Sequence, residues 1–402
     1  MEHLLTKATR QHTKDHNTRL VLRTIYEGET ISRAELARRT GLTRTTVSSV
    51  VGELLERHVV EEIGTGHFSG GRLPILLRVA DDTNHVLAVT LEDTRIVGAL
   101  VSMRGLVQQQ ISLPLGAVGS EALVACLTQV IDRLMDQAGG SVLGVGLSLP
   151  GVIDTIDGVV RSAVNYGLID LPLRQLLQAR YGLPVYLGNL VHLAALAEYT
   201  FGKGAVSGNL IAVSMGVGIG AGIVLQGRLF AGDSFGAGEI GHVVVVPDGP
   251  ICNCGHRGCL ETVASMPAIV RAARELIRHN STSLAGVDPD EVDFASVRRA
   301  LEAGDPAVQQ LVSQVGNYLA LALANAIGLL NIERIVLSGP VATLGQSLLD
   351  AVNGGISGMV LASLAKTTRV ELLADGGDAV LRGAAAMVLD AELGLVRVSA
   401  RG

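Results

Sequence analysis

The chain has 402 residues, 48% of them hydrophobic, 17% charged and 3% aromatic, with 49 glycines and no tryptophan. That apolar content excludes a largely disordered chain, and the length gives room for two to four folding units. The net charge of −6 hides an asymmetry: residues 1–80 hold 12 Lys and Arg against 9 Asp and Glu, whereas the other 322 hold 20 against 29. A modestly basic front on an acidic body points to a nucleic-acid-facing module joined to something else. The first residues space His3, Lys7, Arg10 and Lys14 through polar neighbours, without the apolar core of a secretory signal. The most apolar helical stretch, residues 307–330, is broken by Gln309, Gln310, Ser313, Gln314, Asn317 and Asn325. A cytoplasmic protein with no membrane partner is expected.

Over residues 18–26, Leu20, Val21, Leu22 and Ile25 share one helical stripe, which Glu27-Gly28-Glu29 ends. Ser32 opens a second helix in capping-box form, with Glu35 three residues on and Leu36 and Ala37 behind it. Thr40-Gly41-Leu42 is a turn where glycine takes the left-handed conformation. Thr43 starts a third helix, residues 44–57, with the stripe Val47, Val50, Val51, Leu54 and Leu55. Two strands at 59–63 and 73–79 flank a glycine-rich loop at 64–72. Together these predict a winged helix-turn-helix over residues 1–80. The third helix starts with Arg44, Thr45, Thr46, Ser48 and Ser49. Small hydroxyls permit close approach to a duplex, a helix N-terminus attracts phosphate, and Arg44 can pair bidentately with guanine. The candidate DNA contacts are Ser32, Arg33, Thr43, Arg44, Thr45, Thr46 and Ser48, with Arg72 in the wing. The plainer alternative, a protein-contact bundle, gives no reason for the hydroxyl-rich helix and the glycine wing to coincide.

The body repeats itself. Residues 86–101 and 210–225 each read as strand, turn, strand, and strands at 143–149 and 334–338 extend the two sets. A bilobal α/β body follows: residues 81–188, completed by a C-terminal helix at 380–396, and residues 189–379. Such paired hairpins hold nucleotide phosphates on bare backbone amides. The second turn, Gly216-Val217-Gly218-Ile219-Gly220, keeps its glycines, but the first holds Glu92 and Asp93. Each carboxylate beside a phosphate costs ~1–4 kcal/mol, so the first turn argues against ATP.

Cys126 is isolated, whereas Cys252, Cys254 and Cys259 lie within eight residues. An odd cluster predicts metal rather than a disulfide framework. Three thiolates and one imidazole complete a tetrahedral Zn2+ site, with glycines letting the loop fold tightly. His242, in Gly238-Glu239-Ile240-Gly241-His242 ahead of a strand at 243–246, is the expected fourth ligand. His256 competes from inside the loop, where its place between ligands makes it solvent-facing. Four protein ligands leave no position for a catalytic water, so the zinc is expected to be structural.

The stretch 216–265, above all GEIGHVVVVPDGPICNCGHRGCLET, resembles the signature of the ROK family (repressors, open reading frames and kinases). With ISRAELARRTGLTRTTVSSVVGELLERHVVEE and Gly70-Gly71-Arg72 it resembles that family's xylose and N-acetylglucosamine repressor branch. Pro150-Gly151-Val152-Ile153-Asp154, Ala195-Leu196-Ala197-Glu198 and Arg382-Gly383-Ala384-Ala385 extend the match over nearly the whole chain. The resemblance implies an actin-like, sugar-kinase-type fold in a homodimer or tetramer. Family kinases carry an Asp-x-Gly-Gly-Thr turn; the matching positions here are Thr90, Leu91, Glu92, Asp93 and Thr94. Their catalytic aspartate ends a Glu-Asn-Asp segment, matched by Gly188, Asn189 and Leu190. Leucine accepts no proton, so no kinase activity is expected. By the same resemblance Asn165, Asn189, Glu239, His242 and Glu261 match sugar contacts, with zinc bracing His242 and Glu261. Leu190 removes one acceptor from that set, so the expected effector is a modified sugar, a less polar ligand or none. The expectation is an α/β chain in which a winged helix-turn-helix precedes a bilobal actin-like fold. It would act as a repressor of carbohydrate-related genes on a palindromic double-stranded operator, tuned by an effector between the lobes. The rivals are a sugar kinase with an appended DNA module and a ligand-independent DNA-binding protein.

Overall fold

The computed structural model describes residues 10–65, 74–92, 94–202, 208–278, 288–373 and 377–395. It begins with α1 (Arg10–Glu27), β1 (Ile31–Ser32), α2 (Arg33–Thr40), α3 (Arg44–Glu56), β2 (Val60–Thr65) and β3 (Ile75–Val79). β3 lies between β1 and β2 and is antiparallel to both. Val21, Leu22, Ile25, Leu36, Val47, Val51, Leu54 and Leu77 are buried between these helices and the small sheet. Leu55, expected on the stripe of α3, is only half-buried, and α3 ends at Glu56 with Arg57 as its cap. α1 starts well before the apolar stripe that announced it. Its polar first turns are held by surface pairing, Gln11 to Asp15 at 2.7 Å and Lys14 to Glu53 of α3 at 2.9 Å. No hydrophobic period marks such turns.

The next elements are β4 (Asn84–Glu92), β5 (Arg95–Ser102), β6 (Val107–Pro114), α4 (Ser120–Gln137) and β7 (Ser141–Leu149). They are followed by β8 (Val152–Asp154), β9 (Val159–Ala163), β10 (Leu168–Leu171), α5 (Leu173–Tyr181) and β11 (Val185–Asn189). The main sheet here has the order β11-β7-β4-β5-β6, with β4, β5 and β6 antiparallel in turn and β7 parallel to β4.

Beyond it run α6 (Leu190–Phe201), β12 (Leu210–Met215), β13 (Ile219–Leu225), β14 (Arg228–Phe230), α7 (Leu260–Ala264), α8 (Met266–Arg278) and α9 (Phe294–Glu302). Then come α10 (Pro306–Leu330), β15 (Arg334–Ser338), α11 (Gln346–Met359), α12 (Ala362–Thr367), β16 (Arg369–Leu372) and α13 (Ala379–Leu393). The second five-stranded sheet has the order β14-β13-β12-β15-β16: again three antiparallel strands, then a parallel partner on the other side of the first. The likeness reaches single residues. Gly98 on β5 lies under α4, where a Cβ would fall 2.3 Å from Val130 Cγ1. Gly222 on β13 lies under α6, where a Cβ would fall 2.3 Å from the Ala195 Cβ.

The chain divides into two compact units. One holds the winged module, the first sheet and α13 from Ala384 onward; the other holds β8, α6 to α12 and the second sheet. α10 is long and apolar enough to span a bilayer, with a mean hydropathy of 1.2, but Val308, Val312, Val315, Leu319, Leu323 and Ile327 form the core of the second unit. A helix with one buried apolar face and Gln and Asn on the other has the pattern of a core helix.

Candidate functional sites: an exposed helix start and a metal-ligand cluster

Hydroxyls cap both helix starts of the winged module. Ser32 Oγ accepts the Glu35 N–H at 3.2 Å, Thr43 Oγ1 accepts the Thr46 N–H at 3.2 Å, and Gly41 turns the chain between them at φ 69°. The Glu35 carboxylate, which a capping box sends back to Ser32, instead binds Arg39 at 2.9 Å and also Arg38. Thr43 Oγ1 lies 2.9 Å from Thr45 Oγ1 and 2.8 Å from Thr46 Oγ1. Thr43, Arg44, Thr45, Ser48 and Ser49 are exposed and Thr46 is half-buried, while Val47, Val50, Val51 and Leu54 fix the opposite face. The N-terminal turn of α3 therefore presents free amides, hydroxyls and a guanidinium to solvent, a surface suited to phosphate and base edges. Arg33 is half-buried and pairs with Glu62 of β2 at 2.8 Å, so it also ties α2 to the sheet. Arg72, with Gly70 and Gly71, lies outside the described residues.

The two hairpin turns differ in chemistry. Between β4 and β5, Glu92 Oε2 accepts from Arg95 Nη2 at 2.9 Å and Nε at 3.1 Å; Asp93 lies outside the described residues. Between β12 and β13 the Gly216 N–H donates to the Gly218 carbonyl at 2.9 Å. There Glu261 Oε2 accepts the Ile219 N–H at 3.1 Å, so a carboxylate reaches this turn too, from α7.

The cysteine loop closes on two backbone constraints. Gly238 has φ 90° and a Cβ there would fall 1.8 Å from the Ala221 carbonyl oxygen; Gly258 has φ 70° and a Cβ would fall 1.6 Å from that of Val246. Only glycine fits either place. Residues 243–246, expected as a strand, are not one. They follow a 3-10 turn at Ile240–His242 and make a single bridge, Val244 with Cys259. The Gly258 carbonyl accepts from both Val245 (2.9 Å) and Val246 (3.1 Å), which bends the segment out of a ladder. The result is that His242, Cys252, Cys254 and Cys259 converge, with all four ligand atoms within 4.8 Å of one another. The Cys254 and Cys259 sulfurs are 3.7 Å apart, and Cys252 Sγ is 3.6 Å from His242 Nδ1. A tetrahedral ion with the bond lengths of zinc requires edges of about 3.7 Å between sulfurs and about 3.6 Å between sulfur and nitrogen. The cluster can hold a metal ion. His256 Nδ1 is 3.6 Å from Cys254 Sγ but is not among the four converging atoms. The backbone amide and ring of His256 push the exposed Cys254 thiol down to about 6, whereas burial pushes Cys259 up to about 12. A bound dication reverses the second shift, because thiolate is the ligating form.

Of the residues matched to sugar contacts, His242 belongs to this cluster, Glu239 and Glu261 adjoin it, and all of them but Asn165 lie in the second unit. Asn165 is exposed on a 3-10 turn (Val164–Tyr166) of the first. His242 turns Nδ1 to Cys252 and Nε2 to the exposed Glu239, whose Oε2 is 3.7 Å away. Asn189 Oδ1 caps α6 by accepting the Val191 N–H at 2.9 Å, and Leu190 is the first residue of that helix. One oxygen of Glu261 is taken by the Ile219 amide. Sequence reasoning passed over His192. It is buried on α6, its Nε2 lies 2.8 Å from the Ala237 carbonyl oxygen, and burial pushes its pKa below the usual 6.5. It thereby pins the strand of chain that leads into Glu239. A lone histidine in the apolar run Leu190-Val191-His192-Leu193-Ala194 was the available signal.

Comparison with known proteins follows the same division. The ROK family profile matches residues 86–391, and a profile described as winged helix-turn-helix DNA-binding matches residues 14–61. The chain is 29% identical over 383 residues to the xylose repressor of Caldicellulosiruptor bescii, covering 94% of this chain and 96% of that one. It is 32% identical over 316 residues to a glucokinase of Halalkalibacterium halodurans, covering 76% of this chain and 95% of that one. Among solved structures, a ROK family transcriptional regulator described as a homologue of the Escherichia coli MLC protein superposes with a TM-score of 0.87. It is 28% identical, with 96% of this chain and 98% of that chain covered.

Proposed function

The chain belongs to the ROK family, and on that premise we propose that it is a sugar-responsive transcriptional repressor, working in the cytoplasm on a palindromic operator. Three functional parts make this up: a winged module at residues 1–80, a first lobe at 81–188 completed by the C-terminal helix, and a second lobe at 189–379 that carries structural zinc. The observation that carries the reading is the capped, solvent-facing start of α3, with Arg44, Thr45 and Ser48 exposed beside Thr43 and Thr46. Binding-competent residues of this kind are found in a chain whose relatives include named repressors over nearly its full length. The second lobe supports a sugar-type effector: Glu239 and one oxygen of Glu261 stay open as acceptors, and His242 Nε2 stays free of the metal cluster. Zinc on Cys252, Cys254, Cys259 and His242 would fix the orientation of that imidazole. An effector that binds one state of the protein better than another would then shift the spacing of two winged modules.

A kinase reading is supported by the glucokinase relative, but two features oppose it. Leu190 offers no base at the helix start, and the Glu92 carboxylate occupies the first hairpin turn, where a phosphate needs bare backbone. The test is selection of bound genomic duplexes by the purified protein, repeated with and without pentoses and hexoses. Retention of a common inverted repeat, released by one sugar class, is expected; Arg44→Ala should lose about 1–3 kcal/mol of operator affinity. ATP turnover with any of those sugars, or equal operator binding with all of them, overturns the reading.

A further inference from the structure

Gly52 stands in the middle of α3 with none of the usual reasons for a glycine. Its backbone is not left-handed, unlike that of Gly41, and the helix runs on to Glu56 before Arg57 caps it. A Cβ built there meets nothing within 4 Å, so no neighbour among the described residues excludes a side chain. Glycine inside a helix is less stable than alanine, so the position is destabilising and the fold does not account for it. Its direction on the helix does. Val47, Val50, Val51 and Leu54 are buried and define the inner side of α3. At about 100° per residue, Gly52 lies opposite them and almost in line with Thr45, with Ser48 and Ser49 to either side. Thr45, Ser48 and Ser49 are exposed. From Thr45 to Gly52 the helix rises about 10 Å, the rise of about three base pairs. Glu56, also exposed, follows one turn later on the same side, and its carboxylate repels phosphate. The part of this side that suits a duplex therefore ends at Gly52.

We propose that Gly52 is a specificity-determining position for the DNA reading given above: its bare backbone lets the middle of α3 sink into the major groove. Base edges are then read along the helix from Thr45 through Ser48 and Ser49, and not by its first turn alone. This role presupposes that the module reads an operator, and it sets how deeply α3 lies there. Serine and threonine hydroxyls sit directly on Cβ, so they reach base edges only when the helix axis comes close. A side chain at 52, even a methyl group, stands on the same line and holds the axis away. Phosphate contacts at the groove rim, made by long basic side chains, tolerate that wider gap, so the cost falls on sequence preference.

Gly52→Ala tests the assignment on two duplexes, the one that the wild type retains from genomic DNA and a random-sequence duplex of equal length, alongside a thermal melt of the full chain. The variant should melt about 2–4 °C higher, because a helix interior gains from alanine and the added methyl meets nothing. It should bind the selected duplex about fivefold more weakly or worse, the loss that a mismatched base pair brings. Affinity for the random duplex should stay within about twofold of wild type, with the same salt dependence, since no phosphate contact is lost. Gly52→Leu should remove the preference between the two duplexes. A higher melting temperature with an unchanged preference overturns the role of Gly52 while leaving the module a DNA reader. An equal loss on both duplexes overturns it too, as does a variant that melts lower, which would make the glycine a requirement of the fold. A wild type with no preference for any duplex fails at the earlier step, the reading of the module, and takes this role with it.

Discussion

In the first sheet the hairpin turn between β4 and β5 is closed by Glu92 and Arg95; in the second, the turn between β12 and β13 is glycine backbone braced by Glu261. Around those turns the sheets are alike: the same strand order, the same parallel partner, and a glycine that lets a helix down onto the second strand, Gly98 in one and Gly222 in the other. The contrast separates two kinds of constraint. Strand order and glycine contacts are set by packing, where a single added methyl is felt. The turns sit at the ends of strands, where side chains can change without disturbing the sheet and the chemistry is free to diverge. The second sheet alone, among the described residues, has a four-ligand cluster packed beside its turn. Its loop leads through Cys259 directly into α7 and Glu261.

The largest expected effect breaks the asymmetry. Cys259→Ser should abolish binding of one equivalent of zinc and melt the second unit well below the first, since structural zinc carries ~10 kcal/mol or more of apparent binding free energy. Metal analysis and calorimetry would show a single-unit transition; coincident loss of both units would mean the cluster supports the whole molecule. Next, Glu198→Ala strands Arg334, which is 14% exposed and otherwise paired only at its rim with Glu371 at 3.3 Å. The second unit should lose about 3–5 kcal/mol in urea unfolding. Gly98→Ala and Gly222→Ala probe the shared feature and should each cost about 1–3 kcal/mol. The second should cost more, because a Cβ there also meets the Val191 carbonyl oxygen at 2.5 Å. Equal unfolding midpoints for wild type and both variants would dissolve the likeness between the sheets.

The smallest effect is a pH dependence confined to the second unit. Burial holds His192 below its unfolded pKa of 6.5, so the unfolded chain binds the proton more readily. The stabilisation is fully present above about pH 6.5 and declines as pH falls toward the depressed folded value. Urea midpoints measured between about pH 7.5 and 5.5 should show this slope in the wild type and a shallower one in His192→Gln. Identical slopes would place the titration elsewhere.

Much of the winged module was legible because its signals are short-range. Ser32 and Glu35, or Thr43 and Thr46, are three residues apart, and the hydrogen bond between them forms wherever a helix starts there. The start of α1 was not legible, because Gln11, Lys14 and Asp15 hold it by surface pairs that leave no apolar period. The strand expected at 243–246 failed for a different reason: β-branched residues favour extension, but one carbonyl of Gly258 takes two of their amides. The partner of Glu198 could not be read at all, since Arg334 comes 136 residues later.

By itself the sequence determined the capped helix-turn-helix, the duplicated hairpins and the metal-ligand character of the cysteine loop. These depend on residues a few positions apart or on a repeat visible within the chain. Only the tertiary structure decided that Glu261 braces the glycine turn, that His192 is pinned to the Ala237 carbonyl, and which glycines lie under helices and which face solvent. Each of those depends on where distant backbone comes to rest. A glycine wedged 1.6 Å from a carbonyl, as a Cβ at Gly258 would be, and one in open space, as at Gly358, are the same letter in the chain. Packing alone makes the first indispensable to the fold and leaves the second unconstrained by its own chain.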